Sequence, residues 1–473
     1  MKNLFLLFTI LLGLNSCNSW LDVQPYDRVA EDVVFESVKG FENALNGIYI
    51  ELNTNSLYGQ YLSCEMIEIM AQRYSVNKSN AFNYDLIHKY TEQGCKARFA
   101  SIWKDAYSLI ANINLLLKNC ESHRNVLTDE YYNLLKGECY ALRAFLHFDI
   151  FRLFGPVYDL DVMTVNLPYY KEFSLDKRPS CKPDEFMNCV IEDLHRADSL
   201  LQDDPVLQEG TDMVHDNAFV SYRKYRLNKY GVQLLLARAE LYRGNKEAAL
   251  VAARKVIDAQ EQWFPWVTRE AVSSGRSDPD RVFYPEILWG LQNFKLSNLH
   301  ISLFGGENLS PLVMLAPLGG QIDKIFENNR DDYRYEAYFR NRQIINGASY
   351  NMFEKFKATQ DTIAGTIIPL LRMSEAFYIA AECEPNASDG LVWLNQVLTH
   401  RGVRNVTNER YLASTLEKEY IREFWGEGQL FFYYKRLKYP SIHRADDATY
   451  NVMKQMTLSD YQLLIPEEES KYN

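Results

Sequence analysis

Residues 230–259 read YGVQLLLARAELYRGNKEAALVAARKVIDA, and this stretch decides the fold class. Apolar residues recur at steps of three and four on either side of Gly244-Asn245, a dipeptide suited to the turn between two helices. Ala237, Ala239, Ala248, Ala249, Ala252 and Ala253 are small enough to let those helices approach closely. Helix, turn, alanine-rich helix is the tetratricopeptide style of hairpin. A further pair is spelled by LLRMSEAFYIAAEC (370–383), a turn through Pro385-Asn386, and Leu391, Leu394, Val397 and Leu398.

Upstream, Leu135, Cys139, Leu142, Leu146, Ile150 and Leu153 place one broad apolar face on a helix over Asp129–Phe154, stopped by Gly155-Pro156. Ile102–Leu117 continues the helical period, and Ala30–Leu52 reads as the first packed helix. No clean 34-residue self-repeat exists, so long insertions separate the hairpins. The predicted architecture is mainly α, tetratricopeptide-like hairpins forming a scaffold, with a loop-rich insertion at about 262–366 carrying a few short strands. Within it EILWGLQNF (286–294) reads as a strand and SLFGGENLSPLVMLAPLGG (302–320) as a long loop. That insertion and Gln72–Ala97 are the places to look for a binding site.

The 473 residues carry 51 basic and 62 acidic side chains, a net charge of −11, which argues against nucleic acid or an anionic membrane surface as the main partner. The chain opens MKNLFLLFTILLGLNSC, where Lys2 precedes an apolar run from Leu4 to Leu14 that has the form of a secretory leader. The run is about half of the ~20 residues a spanning helix needs. Leu14-Asn15-Ser16-Cys17 resembles a bacterial lipobox, which implies removal of residues 1–16, lipidation of Cys17 and a tether over 17–28. One helical domain is expected from 29 to 473. The remaining cysteines, Cys64, Cys95, Cys120, Cys139, Cys181, Cys189 and Cys383, show no CxxC spacing and read mostly as small buried hydrophobes. A Cys181–Cys189 bridge is left open.

Tyrosine is abundant, 32 residues, beyond what a core requires. Tyr74, Phe82, Tyr84 and Tyr90 are interleaved with Asn77, Asn80, Asn83 and Asp85, a mixture suited to sugar rings, whose apolar faces stack on aromatics while amides and carboxylates take the hydroxyls. Each of these aromatics is equally open to capping the helical core. Trp263, Phe264 and Trp266 follow the first hairpin, and Trp289 lies on the predicted strand; for these the core reading leads. Phe304, in the Gly-rich loop, is open to both. The candidate ligand-binding residues are Tyr74, Tyr84, Tyr90, Trp266 and Phe304.

HExxH, GxSxG, GxxxxGK[ST] and zinc-spaced Cys/His clusters are all missing from the chain. His147 reads as structural. Glu417/Glu419 and Glu467/Glu468/Glu469 read as solvated surface acids. Catalytic residues, a cofactor and a metal are not expected.

Several blocks, in order, resemble the SusD/RagB family of surface lipoproteins of Bacteroidetes. They are Cys17-Asn18-Ser19-Trp20-Leu21-Asp22 with Pro25; Trp103, Tyr107, Ile110 and Asn112/Asn114; and Ala141-Leu142-Arg143-Ala144-Phe145 through Arg152-Leu153-Phe154-Gly155. There follow Glu286-Ile287-Leu288, Asp332-Tyr333-Arg334, Leu371-Arg372-Met373-Ser374-Glu375 with Ala381-Glu382, Glu423-Phe424-Trp425-Gly426-Glu427-Gly428 with Lys435-Arg436, and Leu463-Leu464-Ile465-Pro466. Tyr420, Leu430 and Tyr433 depart from the family pattern of Arg, Arg and Asp, which puts the usual ion pairs of the last helix in doubt. Glu427, the most tempting lone acid, has a structural counterpart in the family. The resemblance implies an outer-membrane protein, lipid-anchored and facing outward, that binds an oligosaccharide or polysaccharide and delivers it to a SusC-like TonB-dependent transporter, without catalysis. A peptide receptor of the same architecture, a lipid-anchored glycoside hydrolase and a ligand-free adaptor are the rivals.

Overall fold

The computed structural model describes residues 33–470 apart from 77, 87, 159–164, 166, 175–178, 306–308 and 361–362. The leader, Cys17, the tether and Asn77 lie outside the described residues. Among those described, α1 spans Val38–Leu52, α2 Gln93–Ser122, α3 Asp129–Phe154, α4 Pro183–Leu200, α5 Lys229–Tyr242, α6 Lys246–Ile257, α7 Met373–Cys383, α8 Ala387–Thr399, α9 Leu412–Glu423 and α10 Leu430–Arg436. From α2 to α8 each helix packs on the next, α6 against α7 included, although 115 residues separate those two in the chain. The scaffold is therefore a continuous row of helices with one large excursion. No helix among the described residues is long and apolar enough to cross a membrane.

Local signals set the helix ends. Thr128 caps α3 by accepting from the Tyr131 N–H, Asp129 and Glu130 fill its first turn, and Gly155-Pro156 ends it. Asn228 and Asn245 cap α5 and α6, and Gly244, at φ +87°, makes the turn between them. The α3 face is broader than its period suggests, since every residue from Ala141 to Phe154 is buried. Its polar members are matched accordingly. Arg143 forks onto Asp193 with two bonds of 2.7 Å, Asp149 accepts from the Tyr58 hydroxyl (2.8 Å), and His147 binds the Arg143 carbonyl and the Tyr170 N–H. Burial pulls His147 down to about 3, so it is a neutral structural ring. Lys435 is buried with its ammonium on the Arg152 and Gly155 carbonyls, where the α3 dipole ends.

Some expected boundaries shift. Within the helix expected over Ala30–Leu52, residues 35–37 interrupt the helical path and α1 begins at Val38. Leu370-Leu371-Arg372 is not helical but ends strand β2 (Ile367–Arg372), which pairs antiparallel with β1 (Ile287–Gln292). A continuous apolar run has no period to separate strand from helix, and the partner strand lies about 75 residues upstream. Gly290 is required in β1, because a Cβ there would meet the Ile368 carbonyl oxygen at 2.8 Å. The insertion also holds short helices at Leu296–Leu303, Gly319–Ile325 and Tyr333–Phe339.

The acids near the C-terminus need one correction. Glu419 is not a solvated surface acid: it is buried, bound by Arg334 and by the Tyr378 hydroxyl. It belongs to a buried chain of charges in which Glu423 accepts from Arg334, Arg372 and Arg401, and Glu427 from Lys355 and Arg372. Glu427 is thus structural. At the positions that depart from the family pattern, the Tyr420 ring stacks on Tyr433 at 4.1 Å, and Arg436 pairs instead with Glu382. Cys64, Cys95, Cys120, Cys139 and Cys383 are buried, and Cys181 and Cys189 are both free thiols, so no bridge joins them.

Candidate functional site

The two stretches singled out by composition do meet. Ser75 bridges Ala316, the Ala81 N–H donates to the Leu312 carbonyl, and the Asn80 amide donates to the carbonyls of Pro311 and Met314. The meeting closes over the aromatics instead of displaying them. Tyr74 is 0% exposed, its hydroxyl on the Cys64 carbonyl and its ring against Phe304, Phe353 and Trp425. Phe304 is equally buried. Tyr90 lies under Phe99 and donates to the Asp460 carbonyl (2.6 Å). Asn80 and Asp85 are spent on internal bonds. Tyr74, Tyr90 and Phe304 are therefore core residues, not platforms. Trp266 is half-buried, stacked on His400 at 4.9 Å and beside Phe377. Of the five candidates Tyr84 alone stands out into solvent, 44% exposed.

A more enclosed site lies elsewhere. A cleft of about 950 Å³ opens between α1, the segment 218–226 and the end of β1 running into 291–299. That is the size range of small-ligand pockets. None of the five candidates lines it. Its aromatic residues are Tyr49, Phe219, Tyr222, Tyr225 and Phe294, and its amides are Asn46, Asn53, Asn55, Gln292 and Asn293.

Each wall is held from behind. Arg223, fully buried, forks onto Asp204 (3.0 and 2.8 Å) and reaches Glu138 (2.5 Å). Arg226 binds Glu138 (3.0 Å) and Asn46 (2.6 Å) and lies 4.2 Å over the Phe219 ring. Burial opposes ionisation of Glu138, but Arg226 and Arg223 outweigh it and hold the carboxyl below its usual range. These charges brace the segment and are neutralised there. Asn217 accepts from the Phe219 N–H, and Ser221 accepts from the His215 N–H, fixing the approach to Tyr222. At the far wall Asn293 donates its N–H to the Thr366 carbonyl and accepts from the Lys295 N–H, so the chain turns as it leaves β1 and throws Phe294 outward, 75% exposed.

Asn53 joins two walls. Its Nδ2 donates to the carbonyls of Tyr49 and Gln292 (3.4 and 3.1 Å), which fixes the amide's orientation because both partners are acceptors. Its Oδ1 is then left buried with no donor. Exposed rings beside the exposed amides of Asn55 and Gln292 can bind a polyol with apolar faces.

A second cavity of about 470 Å³ adjoins it, lined by Asp212, Tyr222, Asp280, Tyr284 and Ile363 among others. The Tyr284 hydroxyl donates to Asp212 (2.7 Å), and burial together with Asp212 holds it above the usual phenol range. Tyr222, 41% exposed, lines both spaces. Sequence reading missed Tyr222 and its neighbours; the only local hint was the density of tyrosine in SYRKYRL (221–227). No group of three or more metal-ligating side chains occurs among the described residues.

Comparison with known proteins bears on all of this. A SusD-like family model described as "Starch-binding associating with outer membrane" matches residues 19–212. SusD-like protein P38 of Formosa agariphila is 24% identical over 270 residues, 55% of this chain and 46% of that protein. SusD-like protein P25 of the same organism is 21% identical over 377 residues, 75% of this chain and 65% of that protein. The chain thus spans less than two thirds of the length of either relative. Among solved structures, a SusD superfamily protein from Bacteroides thetaiotaomicron aligns over 92% of this chain and 98% of its own, with a TM-score of 0.73 at 19% identity. A putative sugar binding protein from Bacteroides vulgatus aligns over 92% and 97%, also at 0.73, with 21% identity. At such identities the structural likeness carries the fold alone. The family-model match over residues 19–212 and a mainly helical fold aligned over 92% of the chain make this chain similar to SusD-like proteins.

Proposed function

We propose that the protein is an outward-facing lipoprotein of the outer membrane, anchored through Cys17, that captures an oligosaccharide or polysaccharide and delivers it to a SusC-like TonB-dependent transporter. The observation that carries this reading is the cleft itself, where the rings of Tyr222 and Phe294 stand exposed beside amides free to meet hydroxyls. The family description, starch-binding and associating with the outer membrane, supports it. So does the likeness to a protein described as sugar binding.

The acids around the cleft favour binding over hydrolysis. A glycosidase needs two carboxyls free to exchange protons with the glycosidic oxygen and a water. Asp280 has its oxygens on the N–H groups of Val282 and Tyr284, and Asp212 has its own on Lys224 and the Tyr284 hydroxyl. Glu42 is held by Lys39 and Tyr131. Each is committed to the scaffold.

Affinity electrophoresis of a soluble Cys17→Ser form lacking residues 1–16, run through gels containing a panel of polysaccharides, tests the reading, with peptide mixtures titrated in parallel by calorimetry. One glycan is expected to retard the protein with no release of reducing ends. Heat from peptides and no retardation by any glycan moves the assignment to a peptide receptor, while reducing ends in the gel make it a hydrolase.

A further inference from the structure

We infer that the cleft and the adjoining cavity are two subsites of one groove, divided by Tyr222, which selects a neutral oligosaccharide long enough to pass that ring. The inference rests on the glycan reading above and adds to it a charge class and a length.

Three observations carry it. First, Tyr222 borders both spaces, each of a size to hold ligand on its own. Its ring centroid lies 6.5 Å from that of Tyr225, a residue of the cleft, so the aromatic surface runs on across the divide. Second, Tyr222 occupies φ +49°, ψ 52°, a left-handed conformation that is strained for a bulky side chain. The surroundings hold it there: its N–H donates to the Met213 carbonyl, and its own carbonyl accepts from the Tyr225 N–H, both at 3.0 Å. A relaxed backbone would aim the ring differently, so the strain is what sets it at the junction.

Third, the charges facing the two spaces differ in a way that excludes anions. In the smaller cavity the cation, Lys224, is buried with its ammonium 3.6 Å over the Tyr284 ring and on Asp212. What lines the space is carboxylate: Asp212, whose charge Lys224 matches, and Asp280, whose bonds run to the N–H groups of Val282 and Tyr284. Burial lifts Asp280 to about 6, which leaves it largely ionised at neutral pH. A uronate or sulfate there meets the charge of Asp280. In the cleft Lys39 and Arg226 are matched by Glu42 and Glu138, and Lys295 is exposed at the rim, where solvent screens it. Neutral residues with free hydroxyls suit both spaces.

The test is calorimetric titration of the soluble form with size ladders, disaccharide to octasaccharide, of neutral α-1,4-glucan, β-1,4-xylan, β-1,4-mannan and fructan, beside ladders of galacturonan and alginate. For the ladder that binds, affinity is expected to rise at least about tenfold from the shortest to the longest members and then level off. Tyr222→Asn, a residue that tolerates the left-handed backbone, is expected to keep the short-chain affinity and lose the rise. Tyr222→Phe keeps both. Thermal melting confirms that the variants fold. Affinity independent of length, a rise that survives Tyr222→Asn, or preference for a uronate ladder overturns the inference. In the first two cases glycan binding itself still stands and sits elsewhere; silence toward every ladder and every polysaccharide removes both.

Discussion

Glu423→Ala is expected to cost about 3–5 kcal/mol of folding stability, read from denaturant or thermal unfolding of the soluble form. Glu423 is fully buried and accepts from Arg401 (2.7 and 3.0 Å), Arg372 (2.6 Å) and Arg334 (3.1 Å). Removing it leaves three guanidiniums sharing Glu286, Glu427, Glu419 and Asp332, with a hole where a carboxylate stood. Net stabilities of domains are about 5–15 kcal/mol, so the loss is a large share of the total. Lys96→Ala, which removes one partner of an exposed pair with Glu467, serves as the control and is expected to change little.

The same residue sets an acid limb. Burial pushes the Glu423 carboxyl up, but Arg401 and Arg372 outweigh it and hold it well below the usual carboxylate range. A group whose folded pKa lies below its unfolded value contributes its full stabilisation above the unfolded value, about 4.3, and loses it as pH falls through the folded one. The stability gap between wild type and Glu423→Ala is therefore expected to be constant from neutral pH down to about 5 and to narrow below that. A gap that widens on acidification would show that the network is not carrying ionised carboxylate.

The combined Tyr222→Asn and Phe294→Ala variant is expected to weaken binding of the retarding glycan by about a hundredfold or more. Truncating a contact residue at the centre of a site commonly costs more than about 1 kcal/mol, and each tenfold in affinity is about 1.4 kcal/mol. Phe294→Ala alone is expected to weaken chains of every length. Both side chains are exposed, so folding is spared. Tyr84→Ala, which alters the exposed aromatic remaining from Gln72–Ala97, is expected to leave binding unchanged. Retardation lost with Tyr84→Ala and retained in the double variant would relocate the site to the surface around Tyr84.

What could be read from sequence follows the range of the interactions. The helix Asp129–Phe154 was legible to the residue, because Thr128 and Gly155-Pro156 are local signals. So was the hairpin around Gly244-Asn245. The pairing of Ile287–Gln292 with Ile367–Arg372 was not, because the strands share no local pattern and meet across the whole insertion. The same distinction governs the site. Tyr74 and Phe304 stand in polar, glycine-rich stretches and read as loop platforms, yet residues 75–81 dock on 311–316 and seal them inside. Tyr222 and Phe294, more than 70 residues apart, become neighbours of one cleft only once α1 and β1 are packed. Nothing in SYRKYRL or LQNFKL marks those rings as the exposed ones.

The most direct test of the central claim is a crystal structure of the soluble chain with the most strongly retarding oligosaccharide. The account predicts sugar rings stacked on Phe294 and Tyr222, with hydroxyls bound by the exposed amides of Asn55 and Gln292. Sugar seated against Tyr84, with the cleft between α1 and residues 218–226 empty, would contradict it.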